Sequence, residues 1–223
     1  WLKIRRGAVM GTRGGDLHSA GSIPEPTCAV MAAFSIWLQP PTTHSEFPRL
    51  AELIEKVSSQ FHGPGFQPHV TLLGGIRVDP CDTADVESKT RSLAASIQPF
   101  SLRLLPGGVA TADTWSQDLL IFVEETEDLV QAHNAAIRAF RGPEAAAPAF
   151  APPTRRPHVS LLYGEHDQKE REAAAAWVRE HAPWADEGLA FPVEALQLWA
   201  TDKGLGGVPE WHLVGSYPLG TAA

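Results

Sequence analysis

Residues 68–74 read Pro-His-Val-Thr-Leu-Leu-Gly, and residues 157–164 read Pro-His-Val-Ser-Leu-Leu-Tyr-Gly. Each phrase pairs a histidine with a hydroxyl two positions on: His69 with Thr71, and His158 with Ser160. In an extended strand such a pair shares one face, with its members about 6.5–7 Å apart along the chain. Val70 and Leu72, like Val159 and Leu161, point the other way and can anchor each strand in a core. Two such strands hold the parts for acid–base chemistry on a phosphate diester. A neutral imidazole takes a proton from water, and a cationic one gives a proton to the leaving oxygen. An imidazole with pKa near 6.5 can hold either state around neutral pH, and each transfer is worth about 10²–10⁴ in rate. The hydroxyls can donate to the non-bridging oxygens, as hydrogen bonds to an anion are the strong kind. This chemistry needs no metal or cofactor, and none is expected. One strand histidine is ordinarily structural; a second copy at the matching point of the chain argues for function.

Other chemical signatures are missing. There is no His-Glu-x-x-His, no cluster with zinc-ligand spacing, no Gly-x-Ser-x-Gly elbow and no phosphate-loop Gly-x-x-x-x-Gly-Lys. His18, His44, His166, His181 and His212 read as loop or surface residues. His62, beside Gly63-Pro64-Gly65, reads as surface rather than as a metal ligand shared with His69.

The elements that must position the two phrases follow in the same order twice. In the first half, Ala32–Leu38 reads as a strand ended by Pro40-Pro41. Ser45 caps a helix with Leu50, Leu53, Ile54, Val57 and Phe61 on one face, stopped at Gly63-Pro64-Gly65. The first motif strand runs from His69 to Leu73. Asp82 or Thr83 caps a helix with Val86, Leu93 and Ile97 on its face, and Phe100–Leu105 alternates as a strand. In the second half, Leu119–Val123 is a strand, and Thr126 caps a helix carrying Leu129, His133, Ile137 and Phe140. The second motif strand runs from His158 to Tyr163. Asp167 and Glu170 form a capping box for an Ala-rich helix to Glu180. Phe191–Trp199 and Trp211–Tyr217 close the chain as strands. The repeated order predicts an α+β, bilobal, duplicated fold: two mainly antiparallel sheets, outer helices and a central cleft where the motif strands meet. The Ala/Pro-rich segment 141–157 has no usable period and reads as a surface insertion or a lid before His158.

Composition bounds the rest. The 223 residues can bury a real core. The net charge of -8 argues against a long nucleic acid as partner and leaves room for a small anionic substrate. No apolar run reaches the roughly 18–20 residues of a membrane span. Cys28 and Cys81 are too few for a disulfide scaffold and read as free thiols in a reducing, cytoplasmic setting. Residues 1–28 carry Arg5, Arg6 and Arg13 but also Asp16 and Glu25, and read as a disordered or non-native tail rather than an organelle-targeting segment. Residues 29–223 are then one bilobal domain, expected to be a monomer.

With its paired motifs the chain resembles the 2H phosphoesterase superfamily, and within it the plant and fungal cyclic phosphodiesterase branch. The resemblance rests on Ser35-Ile36-Trp37, Phe61–Thr71 (FHGPGFQPHVT), His158–Tyr163 (HVSLLY), Thr201-Asp202 and Trp211, and spans about residues 32–218. It implies metal-independent hydrolysis of ADP-ribose 1″,2″-cyclic phosphate or of a nucleoside 2′,3′-cyclic phosphate, leaving ADP-ribose 1″-phosphate or the nucleoside 2′-phosphate. It implies that His69 and His158 are the acid–base pair, that Thr71 and Ser160 bind phosphate, and that Tyr163 contacts substrate. Tyr163 lies one position off the cleft-side series 158, 160, 162, so the strand must end or bend there. Trp37 and Trp115 are candidates to stack on a base, Trp37 equally a core residue and Trp115 an exposed one. Arg155 and Arg156 flank His158 as phosphate-steering or merely solvated charges. Plant members of the branch often carry disulfides; with two cysteines, redox control does not carry over. Two other readings stand beside this one: an RNA-end enzyme of the superfamily (2′,3′-cyclic-end phosphodiesterase, 2′–5′ ligase or exonuclease), and a non-catalytic nucleotide-binding module.

Overall fold

Among the described residues, eight strands form one sheet whose every pairing is antiparallel. The computed structural model describes residues 31–145 and 156–220; the tail 1–28 with Cys28, most of the Ala/Pro-rich segment and Arg155 lie outside them. The elements are β1 (Ala32–Leu38), α1 (Glu46–Gln60), β2 (Val70–Val78), α2 (Thr83–Ser96), β3 (Phe100–Ala110), β4 (Leu119–Val123), α3 (Glu127–Arg141), β5 (His158–Leu162), α4 (Gln168–His181), α5 (Trp184–Glu187), β6 (Ala190–Val193), β7 (Ala195–Ala200) and β8 (His212–Pro218). The sheet divides into two four-stranded halves, β6-β3-β4-β5 and β2-β1-β7-β8. They join where β2 meets β5, through one registered pair, Val70 with Val159. The two histidine strands are therefore the innermost strands of the two lobes.

The lobes are not the two halves of the chain. β3, the last strand of the first repeat, leaves its own lobe to pair with β4, and β7 from the end of the chain returns to pair with β1. The helices cross over as well: α1 packs on β5 and α3 on β2. Each motif strand is thus backed by the helix of the other repeat. Phe34, Ile36 and Leu38 of β1 join Val70, Leu72, Val159 and Leu161 in the core beneath these helices. Ser35 and Trp37 alternate onto the opposite face, where the site lies.

Most expected boundaries are found within a residue or two; β2 runs on past the expected Leu73 to Val78, and three further departures have local causes. Ser45 does not cap α1 with its side chain, because its backbone is already helical (φ -57°, ψ -29°) and its hydroxyl makes no cap bond. The Glu46 N–H donates instead to His44 Nδ1 at 3.3 Å. β3 runs on to Ala110 past an irregularity at the Leu104–Val109 stretch of its pairing with β4. The final strand segment splits into β6 and β7 at Glu194, so that one piece serves each lobe. Thr126 and the Asp167/Glu170 capping box act as read. Among the described residues, no helix is long and apolar enough to cross a membrane.

Candidate active site

Both motif strands break step at the same point. Thr71 pairs with Trp37 and Leu73 with Ile36, leaving Leu72 as an extra residue. Ser160 pairs with Leu120 and Leu162 with Leu119, leaving Leu161 extra. A bulge of this kind reverses the alternation of faces beyond it. That is why both leucines of each phrase are buried: Leu72, Leu73, Leu161 and Leu162 all lie in the core. It also brings Tyr163 onto the histidine face, resolving the one-position mismatch in its register. The equivalent position of the other strand is Gly74.

One step either side of the Val70–Val159 pair lie His69 and Ser160 at one end, Thr71 and His158 at the other. Each histidine therefore sits across from the hydroxyl of the opposite motif. The two rings are held alike: His69 Nδ1 is 2.7 Å from the carbonyl oxygen of Gln67, and His158 Nδ1 is 2.8 Å from that of Arg156. A carbonyl only accepts, so Nδ1–H donates in both, and Nε2 is left as the atom that gains or loses a proton. Desolvation pulls the His69 pKa down to about 3, against the Gln67 hydrogen bond and with help from the charge of a protonated His158. His158 is half-buried, and desolvation lowers it too, opposed by its bond to Arg156. The Ser160 hydroxyl donates to the Ser116 carbonyl at 3.0 Å, while Thr71 is exposed to solvent.

Aromatic rings enclose His69. Trp37 lies flat on it, with centroids 3.6 Å apart and 7° between planes, and Trp199 covers the other face of Trp37 at 4.4 Å. Trp37 is only 2% exposed, with its two faces taken by His69 and Trp199. Tyr163 OH lies 3.4 Å from His69 Nε2 and also interacts with Ser160. Burial pushes its phenol well above the ordinary range, so it is a neutral donor to the Nε2 lone pair. Trp115 is half-buried, with edge contacts to Tyr163 at 5.6 Å and to Trp211 at 6.4 Å. Arg156 is turned aside: its guanidinium lies 4.5 Å over the Phe122 ring and 3.5 Å from Glu125. A cavity of about 560 Å³ adjoins this cluster, walled by Trp37, Phe66, Gln67, Trp199 and Trp211 with Glu55.

Sequence reasoning missed several of these residues. Phe66 stacks on Tyr163 at 3.9 Å and 16°; its place in FHGPGFQPH, three residues before His69, was the available signal. Trp199 reads only as a strand residue, and Trp211 as a strand residue that also carries the resemblance, with no site role given to either. His166, read as a loop or surface residue, lies in the loop before α4 and pairs there with the buried Asp118 at 2.6 Å. Cys81 is an exposed free thiol, and among the described residues no group of His, Cys, Asp or Glu is arranged to hold a metal ion.

Comparison with known proteins bears on the family and the fold. A family model described as cyclic phosphodiesterase-like protein matches residues 31–219. The chain is similar to the cyclic phosphodiesterase of Arabidopsis thaliana, 28% identical over 185 residues that cover 81% of this chain and 92% of that protein. Among solved structures it resembles TT0787 of Thermus thermophilus, with a TM-score of 0.52 at 18% identity, over 86% of this chain and 100% of that one. It also resembles E. coli LigT complexed with 3′-AMP, with a TM-score of 0.51 at 13% identity, over 86% of this chain and 100% of that one. At those identities the two structures speak to the fold, and they bear out the bilobal α+β architecture expected from the repeated order of elements.

Proposed function

The chain belongs to the cyclic phosphodiesterase-like family, and on that premise we propose that it opens nucleoside 2′,3′-cyclic phosphates or ADP-ribose 1″,2″-cyclic phosphate with His69 and His158 as its acid–base pair. The observation that carries this reading is the matched tethering of the two rings. Both Nδ1–H groups donate to the carbonyl two residues upstream, so both Nε2 atoms are reserved for proton transfer.

The roles divide by burial. His69 stays neutral far into acid, and its Nε2 lone pair already accepts from a hydroxyl, that of Tyr163. In the reaction a water takes that place and gives its proton to His69 as it attacks phosphorus. The bond from phosphorus to one ring oxygen breaks, and that oxygen takes a proton from His158. His158 is the more exposed ring, and the bound phosphate monoanion favours its protonated form. The product is a phosphate monoester. Thr71 donates to a non-bridging oxygen, and Ser160 does so when its hydroxyl turns from the Ser116 carbonyl to the bound phosphate. The nucleoside part lies against the aromatic wall and its adjoining cavity, where the Glu55 carboxylate favours a nucleoside 2′,3′-cyclic phosphate over the pyrophosphate-bearing ADP-ribose compound. Residues 29–223 form the one catalytic domain.

Phosphorus NMR on both substrates tests the reading, since it reports which bond is cut. Turnover should persist in EDTA and fall by at least about 10² in His69→Ala and in His158→Ala, with the fold retained. A mononucleotide cyclic phosphate should outrun an oligonucleotide ending in one. Full activity in either histidine variant overturns the assignment.

A further inference from the structure

His166 makes a hydrogen bond at each ring nitrogen. Nδ1 lies 2.6 Å from Asp118 Oδ2, and Nε2 lies 2.6 Å from the carbonyl oxygen of Phe61. A carbonyl only accepts, so Nε2 carries a proton, and an ionised carboxylate asks the same of Nδ1. The ring is then an imidazolium paired with Asp118, whose side chain is 1% exposed. Asp118 Oδ2 also accepts from the His166 N–H at 3.4 Å. Arg171 stands 3.9 Å from Asp118 Oδ1 and ties its own Nη1 to the His166 carbonyl and to Asp113. Gly164 leaves room for this arrangement: a Cβ there would overlap the His166 ring and crowd Asp118.

The pair joins three segments that each supply the site. Phe61 ends α1 and leads through Phe66 and Gln67 into His69. Asp118 follows Ser116, whose carbonyl holds the Ser160 hydroxyl, and Trp115, whose carbonyl accepts from the Gly164 N–H at 2.9 Å. His166 follows Tyr163 by three residues. Building on the reading above, we infer that His166 and Asp118 are a positioning pair for the phosphodiesterase site, fixing Tyr163, the Ser160 anchor and the approach to His69 as one unit.

A pH limit follows from the pair. Desolvation works against the His166 charge, but Asp118, the Phe61 carbonyl and the more distant Glu170 outweigh it, so the His166 pKa lies above its usual value. Burial works against the Asp118 charge, with His166 and Arg171 opposing it. The pair is therefore complete between the raised Asp118 value and the ordinary imidazole range; it is lost as pH falls through the former or rises through the raised His166 value.

The test uses the full chain with a nucleoside 2′,3′-cyclic phosphate from pH 6 to 9. Asp118→Asn and Gly164→Ala should each lower kcat/KM by about ten- to a hundred-fold. In Asp118→Asn the alkaline limb should also move to lower pH, a shift that a merely structural role does not produce. Nitrogen-15 NMR of the wild-type imidazoles should find both His166 nitrogens protonated at pH 7, and this needs neither turnover nor a folded variant. An unmoved alkaline limb with kcat/KM within two-fold in Asp118→Asn, or a neutral His166 ring at pH 7, overturns the inference. A wild-type chain that opens no cyclic phosphate sinks the functional reading instead, and the NMR spectrum still decides the pair.

Discussion

Val70 and Val159 face each other across the junction of β2 and β5, and on that one registered pair the two lobes meet. Both side chains are buried, at 0% and 1% exposure. Their partnership fixes which histidine faces which hydroxyl, because a slip of one residue in either strand turns every side chain to the other face. Truncating either valine to alanine should cost about 1–3 kcal/mol. As the two are in contact, the double variant should depart from additivity by at least about 0.5 kcal/mol. Urea unfolding of the four chains measures this, and strict additivity would mean the junction is held elsewhere.

Acid should destabilise the protein earlier than its carboxylates alone would cause. In the unfolded chain His69 and His158 protonate near pH 6.5. In the folded chain His69 stays neutral down to about 3, and His158 is also lowered. Between those limits the unfolded state binds more protons, so stability falls as pH falls, by up to about 1.4 kcal/mol per pH unit for His69. Calorimetric Tm against pH should show a shallower slope in His69→Gln than in wild type between pH 6 and 4. Parallel slopes would refute the buried neutral ring.

The order of elements was legible in the sequence, and so was the shared face of His69 with Thr71 and of His158 with Ser160, because period-two and helical patterns survive any topology. Two features were not. The exchange of β3 and β7 between lobes leaves no mark in local periodicity, since a strand alternates alike whichever neighbour it finds. The aromatic cluster was hidden for a similar reason: Trp199 and Trp211 lie far along the chain from His69, and only the pairing of β7 with β1 brings Trp199 onto Trp37. The second leucine in each phrase did hint at a bulge, as a regular strand would have pointed it toward the cleft.

Glycine at 63 is required by close approach rather than by its backbone angles. A Cβ there would lie 2.6 Å from Leu162 Cδ1 and 2.8 Å from the Tyr163 carbonyl, whereas one at Gly65 would meet nothing within 4 Å. Gly63→Ala should therefore destabilise by about 1–3 kcal/mol and disturb turnover by pushing the segment after β5. Gly65→Ala should be neutral or stabilising by up to about 1 kcal/mol. Equal effects at the two positions would show that the contact at Gly63 yields.

Tyr163→Phe removes one oxygen and leaves the stack on Phe66 intact. The Ser160 hydroxyl keeps the Ser116 carbonyl, so no buried group is stranded except His69 Nε2. A lost hydrogen bond of this kind costs about 1 kcal/mol of stability. Solvent or substrate oxygen should then reach Nε2 more freely, so product inhibition and KM should change more than the melting point. An unchanged KM would place the hydroxyl outside the substrate's path.

Trp37 separates holding a catalytic ring from binding a substrate. Its two faces are taken by His69 and Trp199, so substrate can touch only an edge. Trp37→Phe keeps an aromatic surface but a smaller one, and loosens the stack that holds the His69 ring plane. The Gln67 tether at Nδ1 and the Tyr163 hydroxyl at Nε2 then hold the ring with less support from its face, and a proton transfer depends steeply on its orientation. Kinetics with a nucleoside 2′,3′-cyclic phosphate should therefore show kcat lowered by about ten-fold or more with KM nearly constant, and a stability loss of about 1–3 kcal/mol. If Trp37 instead binds the base, KM rises while kcat holds, and that split in steady-state kinetics decides between the two roles.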